Sequence, residues 1–207
     1  MGHGTDTAEW ASTPSGPYRE ATAEENNKLG IWVWLASDCA LFAALIATYL
    51  TLHNSVQHAP TAAQLFDLRL TATATFVLLL SSMSMGIGVE ALQRNDVPAM
   101  RRWLWLTAAL GIVFVGMQVF EFTTYWHHGL TLSASDFGAS FYTLVGFHGL
   151  HVTFGVAWIL SLLILSYRKT ITAADAWRFE AASLYWYFVD VVWVVIFTVV
   201  YLMGKVG

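Results

Sequence analysis

Five runs of this chain are each long and apolar enough to cross a bilayer, and that limits its fold more than any other feature. A hydrocarbon core about 30 Å thick needs roughly 20 mostly apolar residues per helix. The runs are about Leu29–Leu52, Leu70–Ala91, Trp103–Tyr125, Phe137–Tyr167 and Ala181–Gly204. The polar joints between them are too short to shield so much apolar surface from water. The expected fold class is therefore all-α, a polytopic membrane protein built as a bundle of five transmembrane helices. The fourth run exceeds what a span needs, so it tilts or protrudes. Composition agrees: 57% of residues are apolar and 12% charged, against roughly 45–50% and about 25% in a soluble domain.

Charge placement gives an orientation. With five spans, the N-terminus and the joints at 92–102 and 168–180 share one side. That side holds Arg19, Lys28, Arg94, Arg101, Arg102, Arg168, Lys169 and Arg178, and the other only Arg69 and Lys205. Basic residues favour the cytoplasmic face. The N-terminus is expected in the cytoplasm and the C-terminus outside.

Residues 1–28 are polar and carry five acids, so they read as a mobile cytoplasmic tail ahead of a membrane domain spanning 29–207. No basic segment leads into a short apolar run, so the tail is not read as a signal peptide. A net charge of −4 gives no footprint for nucleic acid. Cys39 is the single cysteine, which excludes a disulfide framework and any metal centre built on a Cys pair. Trp32, Trp34, Trp103, Trp105, Trp126 and Tyr201 fall near span ends, where amphipathic rings anchor at the interface. Ser82 with Gly86, and Ser84 with Gly88, are small pairs four apart that let helix backbones approach closely.

The ionisable residues inside the spans are the informative ones, because each costs at least about 2.5–3.5 kcal/mol to insert at mid-bilayer. Asp38, His148, His151 and Asp190 fall at similar depth on three helices. Gln118 and Glu121 lie in the outer third of the third span. Each carboxylate calls for a His, Trp or hydroxyl donor on a neighbouring helix. For His148, His151 and Asp190 the plain reading is an interhelical clasp. Asp38 is open between that and slow proton exchange, a lipid head group or a partner contact. His148 and His151 are three apart and share a helix face, a spacing that suits a metal. A third and fourth ligand are missing from the inventory, so no metal site is expected. No nucleophile elbow and no phosphate loop is present.

Four segments carry a family resemblance. Span one reads W-L-x-S-D-C-A-L-F-A-x-L-x-A-T-Y from Trp34 to Tyr49, and span three ends Q-x-x-E-F from Gln118 to Phe122. Span four reads S-F-Y-T-L-V-G-F-H-G-L-H-V-T-x-G from Ser140, and span five S-L-Y-W-Y-F-V-D-V-V-W from Ser183. Together these resemble subunit III of bacterial haem–copper terminal oxidases, in the short five-helix form.

The resemblance implies a non-redox accessory subunit, with no catalytic, cofactor or metal residue of its own. Haem and copper are then expected in partner subunits of a complex that reduces O2 to water and pumps protons. Subunit I is the implied direct partner, with subunit II and a small subunit IV as further partners. Bound phospholipid is implied as well. Asp38 takes the place of a buried family acid that is usually Glu. Arg168 resembles a family arginine that meets a lipid phosphate, although positive-inside bias alone also accounts for it. Tyr187 stands where the family usually has His. The S-D-C-x-L-F form leans toward quinol-oxidising members, and the donor, cytochrome c or quinol, stays open. Two other readings compete: the related accessory protein of nitric oxide reductase systems, and a small proton-coupled transporter using Asp38 and Asp190.

Overall fold

The computed structural model describes residues 17–53, 68–127, 136–168 and 176–202, with side chains for residues 26–52 in the first segment. The tail before Pro17 lies outside these residues, as do the loops 54–67, 128–135 and 169–175, the residues 203–207 and the side chain of Arg19. The described residues form five helices: α1 (Pro17–His53), α2 (Leu68–Gln93), α3 (Val97–His127), α4 (Asp136–Arg168) and α5 (Ala176–Ile196). A π-helical turn, Phe197–Leu202, continues α5.

All five are long and apolar enough to cross a membrane. Helices are the natural solution, because a bilayer core offers backbone N–H and C=O groups no water partner. The hydroxyls follow the same logic. Thr48, Thr73, Thr153 and Thr198 each donate to the carbonyl four residues back, so they present no bare hydroxyl to lipid.

Two helix ends differ from the sequence expectation. α1 starts at Pro17, inside the stretch expected as tail. Pro suits a first helical position, and the Glu- and Ala-rich run that follows propagates a helix readily. α3 starts at Val97, because the α2–α3 connection is far tighter than the polar joint suggested. Asn95 takes a left-handed φ of 61°. Asp96 N–H then donates to Ala91 O and Asn95 N–H to Leu92 O, each at 2.9 Å. This is a Schellman stop with Asn at the left-handed position. Asp96 Oδ1 in turn accepts from Ala99 N–H at 3.0 Å and caps α3. One residue thus closes α2 and opens α3.

α2 and α3 form the closest pair. α4 packs on α3, α1 and α5, and α5 also meets α2 and α1. α5 is the most buried helix, and α1 lies at the edge with most of its span exposed. The two small pairs of α2 serve different neighbours. Ser84 donates to Trp103 O at 2.9 Å, and a Cβ on Gly88 would stand 3.3 Å from Trp103 Cβ, so that pair seats α3. Gly86 instead meets Tyr187 of α5.

The aromatic belt is only partly at the surface. Trp32, Trp105 and Trp126 are exposed, but Tyr201 is buried. Tyr201 sits in the π-helical turn and packs toward Trp193, Phe141 and Phe197. Trp34 stacks on Tyr185 at 5.2 Å between ring centroids. Position near a span end did not reveal which ring faces inward.

Candidate functional site: a polar layer within the bundle

α1 and α4 bring Asp38 and His151 together. His151 Nε2 lies 3.8 Å from Asp38 Oδ2, with both side chains mostly buried. His151 Nδ1 is 2.7 Å from Phe147 O; a carbonyl only accepts, so Nδ1 carries a hydrogen. In a neutral ring Nε2 is then an acceptor facing a carboxylate, and two acceptors repel. The pair is attractive only with one further proton between them, on the carboxyl or on the imidazole. Phe42 packs its ring against His151 at 4.9 Å, and Tyr185 Oη donates to His151 O at 3.2 Å.

His148 points elsewhere. It is fully buried, and its Nε2 donates to Val189 O of α5 at 3.2 Å. Trp193 and Phe114 hold the ring at 4.8 and 5.8 Å. The two histidines share a stretch of α4 yet serve different partners, α1 and α5. Among the described residues no three His, Cys, Asp or Glu side chains converge to hold a metal.

Gln118 of α3 donates from Nε2 to Val145 O at 2.6 Å, and its amide packs over Gly149, where a Cβ would come within 2.9 Å. That explains a glycine between the histidines. Glu121 is buried and accepts from Thr71 of α2 and from Tyr201 Oη at 3.4 Å. It therefore joins α2, α3 and the end of α5. Asp190 is brought to neither histidine. It lies on the α2 side of α5, beside Ser82.

At the other end of α4, Arg168 is exposed. The cation that engages this end is Arg101, which the sequence reading counted only for orientation. Its Nε donates to Ser166 Oγ at 3.1 Å, a second guanidinium nitrogen donates to Ser166 O, and it lies 4.3 Å from the Tyr167 ring centre. A helix C-terminus attracts cations, but no spacing in the sequence points from position 101 to 166.

Two tryptophan clasps also escaped sequence reading. Trp186 Nε1 donates to Ser81 Oγ at 3.0 Å and Trp193 Nε1 to Thr75 Oγ1 at 2.9 Å. Trp186 fits because Gly111 and Gly155 leave room; a Cβ there would sit 2.8 and 2.9 Å from its ring. The signal was the Y-W-Y-F-V-D-V-V-W segment itself, whose two indoles lie seven apart on one face.

Comparison with known proteins settles the family. A profile of cytochrome c oxidase subunit III matches residues 10–205. The chain belongs to that family. Subunit III of this kind is an accessory subunit of a haem–copper terminal oxidase. The chain is 45% identical over 195 residues to cytochrome c oxidase subunit 3 of Bacillus sp. strain PS3, covering 94% of each chain. It is 43% identical to the protein of that name in Bacillus subtilis strain 168, again over 94% of both. Quinol oxidase subunit 3 of the same strain is 40% identical over 181 residues, 87% of this chain and 89% of that one. Relatives of both names match nearly end to end, so the electron donor stays open.

Proposed function

We propose that this subunit III holds no redox centre and acts on the oxidase through protein, lipid and proton contacts. Haem and copper then reside in partner subunits, subunit I is its direct neighbour, and subunit II belongs to the same complex, with or without a small subunit IV. The reading places the chain in a bacterial cell membrane with the N-terminus in the cytoplasm. The relatives named above are called cytochrome c oxidase or quinol oxidase subunit 3, which favours an oxidase over a nitric oxide reductase partner or a transporter role.

The observation that carries this reading is the Asp38–His151 pair. It sits on the α1–α4 seam next to an open surface groove rather than in a closed reaction chamber. Trp34, Leu150, His151, Phe154 and Tyr185 line one part of the groove, about 240 Å3. A second part, about 380 Å3, continues past Phe154 and Trp158 to Ser161. His151, Phe154, Trp158, Ser161 and Arg168 follow at spacings of three, four, three and seven, which keeps them on one face of α4. Arg168 is about 10 Å beyond Ser161 at 1.5 Å rise per residue. This arrangement suits a phospholipid whose phosphate meets the Arg168 fork and whose chain lies along the aromatic groove toward the pair.

The pair at the end of that groove is the place where this subunit would steady the neighbouring catalytic subunit during turnover. The test is to release this chain from the purified oxidase with a harsher detergent. Haem and copper are expected to stay quantitatively with the other subunits. Metal or haem travelling with this chain contradicts the reading.

A further inference from the structure

The helix that begins as α5 does not stay α-helical to its end. Its buried positions recur at the α-helical period: Tyr185 and Trp186, Val189 and Asp190, Val192 and Trp193, then Ile196. At 3.6 residues per turn the next inward position falls at 199–200, and residue 201 turns away from the bundle. Instead Phe197–Leu202 forms a π-helical turn, whose hydrogen bonds span five residues in place of four. The extra residue per turn brings position 201 round to the inside, where Tyr201 is 1% exposed.

A carboxylate meets it there. Tyr201 Oη donates to Glu121 Oε2 of α3 at 3.4 Å, and Thr71, in the first turn of α2, donates to Oε1. Glu121 and Thr71 are both buried. The buried Tyr49 of α1 and Tyr125 of α3 lie within electrostatic reach of the same Tyr201 hydroxyl. A carboxylate inside a membrane domain needs donors for its oxygens, and lipid tails supply none. Thr71 serves one oxygen. An α-helical end to α5 would carry the Tyr201 hydroxyl away from the other. The π form is the rarer one in helices and recurs where a contact demands it. Here that contact is the bond between Tyr201 and Glu121.

From this we infer that Glu121 and the π-helical turn form a latch. The turn stays wide while Tyr201 is bonded to Glu121. Releasing the bond lets residues 197–202 close into an α-helix, swings the Tyr201 ring out of the bundle and brings Val199 inward. The end of α5 thus has two positions, and one carboxylate at the meeting of α2, α3 and α5 selects between them.

The test is electron cryo-microscopy of the purified membrane complex, in wild type and three variants. Glu121→Gln keeps an acceptor for the phenol and is expected to keep the π-helical turn with Tyr201 inside. Tyr201→Phe and Glu121→Leu remove the bond. In both, the hydrogen bonds of residues 197–202 are expected to shift to four residues back. The side chain at 201 then turns outward by about 100°, one residue of helix rotation. A π-helical turn kept unchanged in Tyr201→Phe overturns the inference, because ring packing alone then holds it. An α-helical end in the wild-type complex overturns it as well, and so does loss of the turn in Glu121→Gln. Tyr201→Phe decides alone if Glu121→Leu fails to assemble. The result reads the same whichever partners travel with the chain, so its failure is distinct from failure of the subunit reading.

Discussion

His151 Nε2 stands 3.8 Å from Asp38 Oδ2 while its other ring nitrogen is committed to Phe147 O. At that separation the two groups face each other without a hydrogen bond. Asn at position 38 keeps the size of the side chain, removes the carboxylate charge and turns an amide donor toward Nε2. Asp38→Asn is therefore expected to assemble with unchanged haem content. What changes is function over time: O2 consumption should decay faster during sustained turnover, or its proton-linked rate should fall. Oxygen-electrode traces over many turnovers check this. Wild-type behaviour in both measures reduces Asp38 to a clasp.

The two arginines near the α4 C-terminus separate stability from lipid binding. Arg101 holds Ser166 through charge-assisted bonds and stacks on Tyr167. Arg101→Ala should lower stability in a denaturing-detergent titration by about 1.5–3 kcal/mol. Arg168→Ala should fall within about 0.5 kcal/mol of wild type, yet retain less phospholipid phosphorus per haem.

Trp186 tests the tryptophan clasps. Trp186→Phe removes the bond to Ser81 and keeps most of the ring, for an expected loss of about 0.6–1 kcal/mol. Trp186→Ala opens a cavity and should lose about 3–5 kcal/mol. Gly111→Ala pushes a methyl into the same ring and into Val156, 2.7 Å away, at about 1–3 kcal/mol. The same unfolding titration measures all three.

The α2–α3 turn depends on Asp96. Asp96→Ala removes the cap on Ala99 N–H and should lose about 1 kcal/mol. Asn95→Gly relieves a left-handed residue and should be neutral or slightly stabilising. Thermal retention of the purified complex ranks the two.

The five helices were legible because hydropathy over some twenty residues is a local property, and each span announces itself. Individual in-membrane polar groups were legible for the same reason: Asp38, Glu121, His148, His151 and Asp190 stand out against apolar neighbours. Their pairing was harder to read. Similar depth put Asp38, Asp190 and both histidines on one level without saying which helix each one faces. The structure divides them, because His148 and His151 point to different helices and Asp190 turns toward α2. Rotation of each helix about its axis decides this, and equal depth carries no information on rotation. Tyr201 was misplaced in the aromatic belt because a π-helical turn resets that rotation at the end of α5. Arg101 was passed over because its partner is 65 residues away, and its own neighbours show only a basic residue near a span end.

The central claim, that this chain serves a haem–copper terminal oxidase, is tested most directly by purifying the tagged protein in mild detergent. The expected preparation shows a haem spectrum from a partner subunit and reduces O2 to water with cytochrome c or quinol as donor. A chain that comes away alone, with no haem-bearing partner and no O2 reduction, contradicts the account.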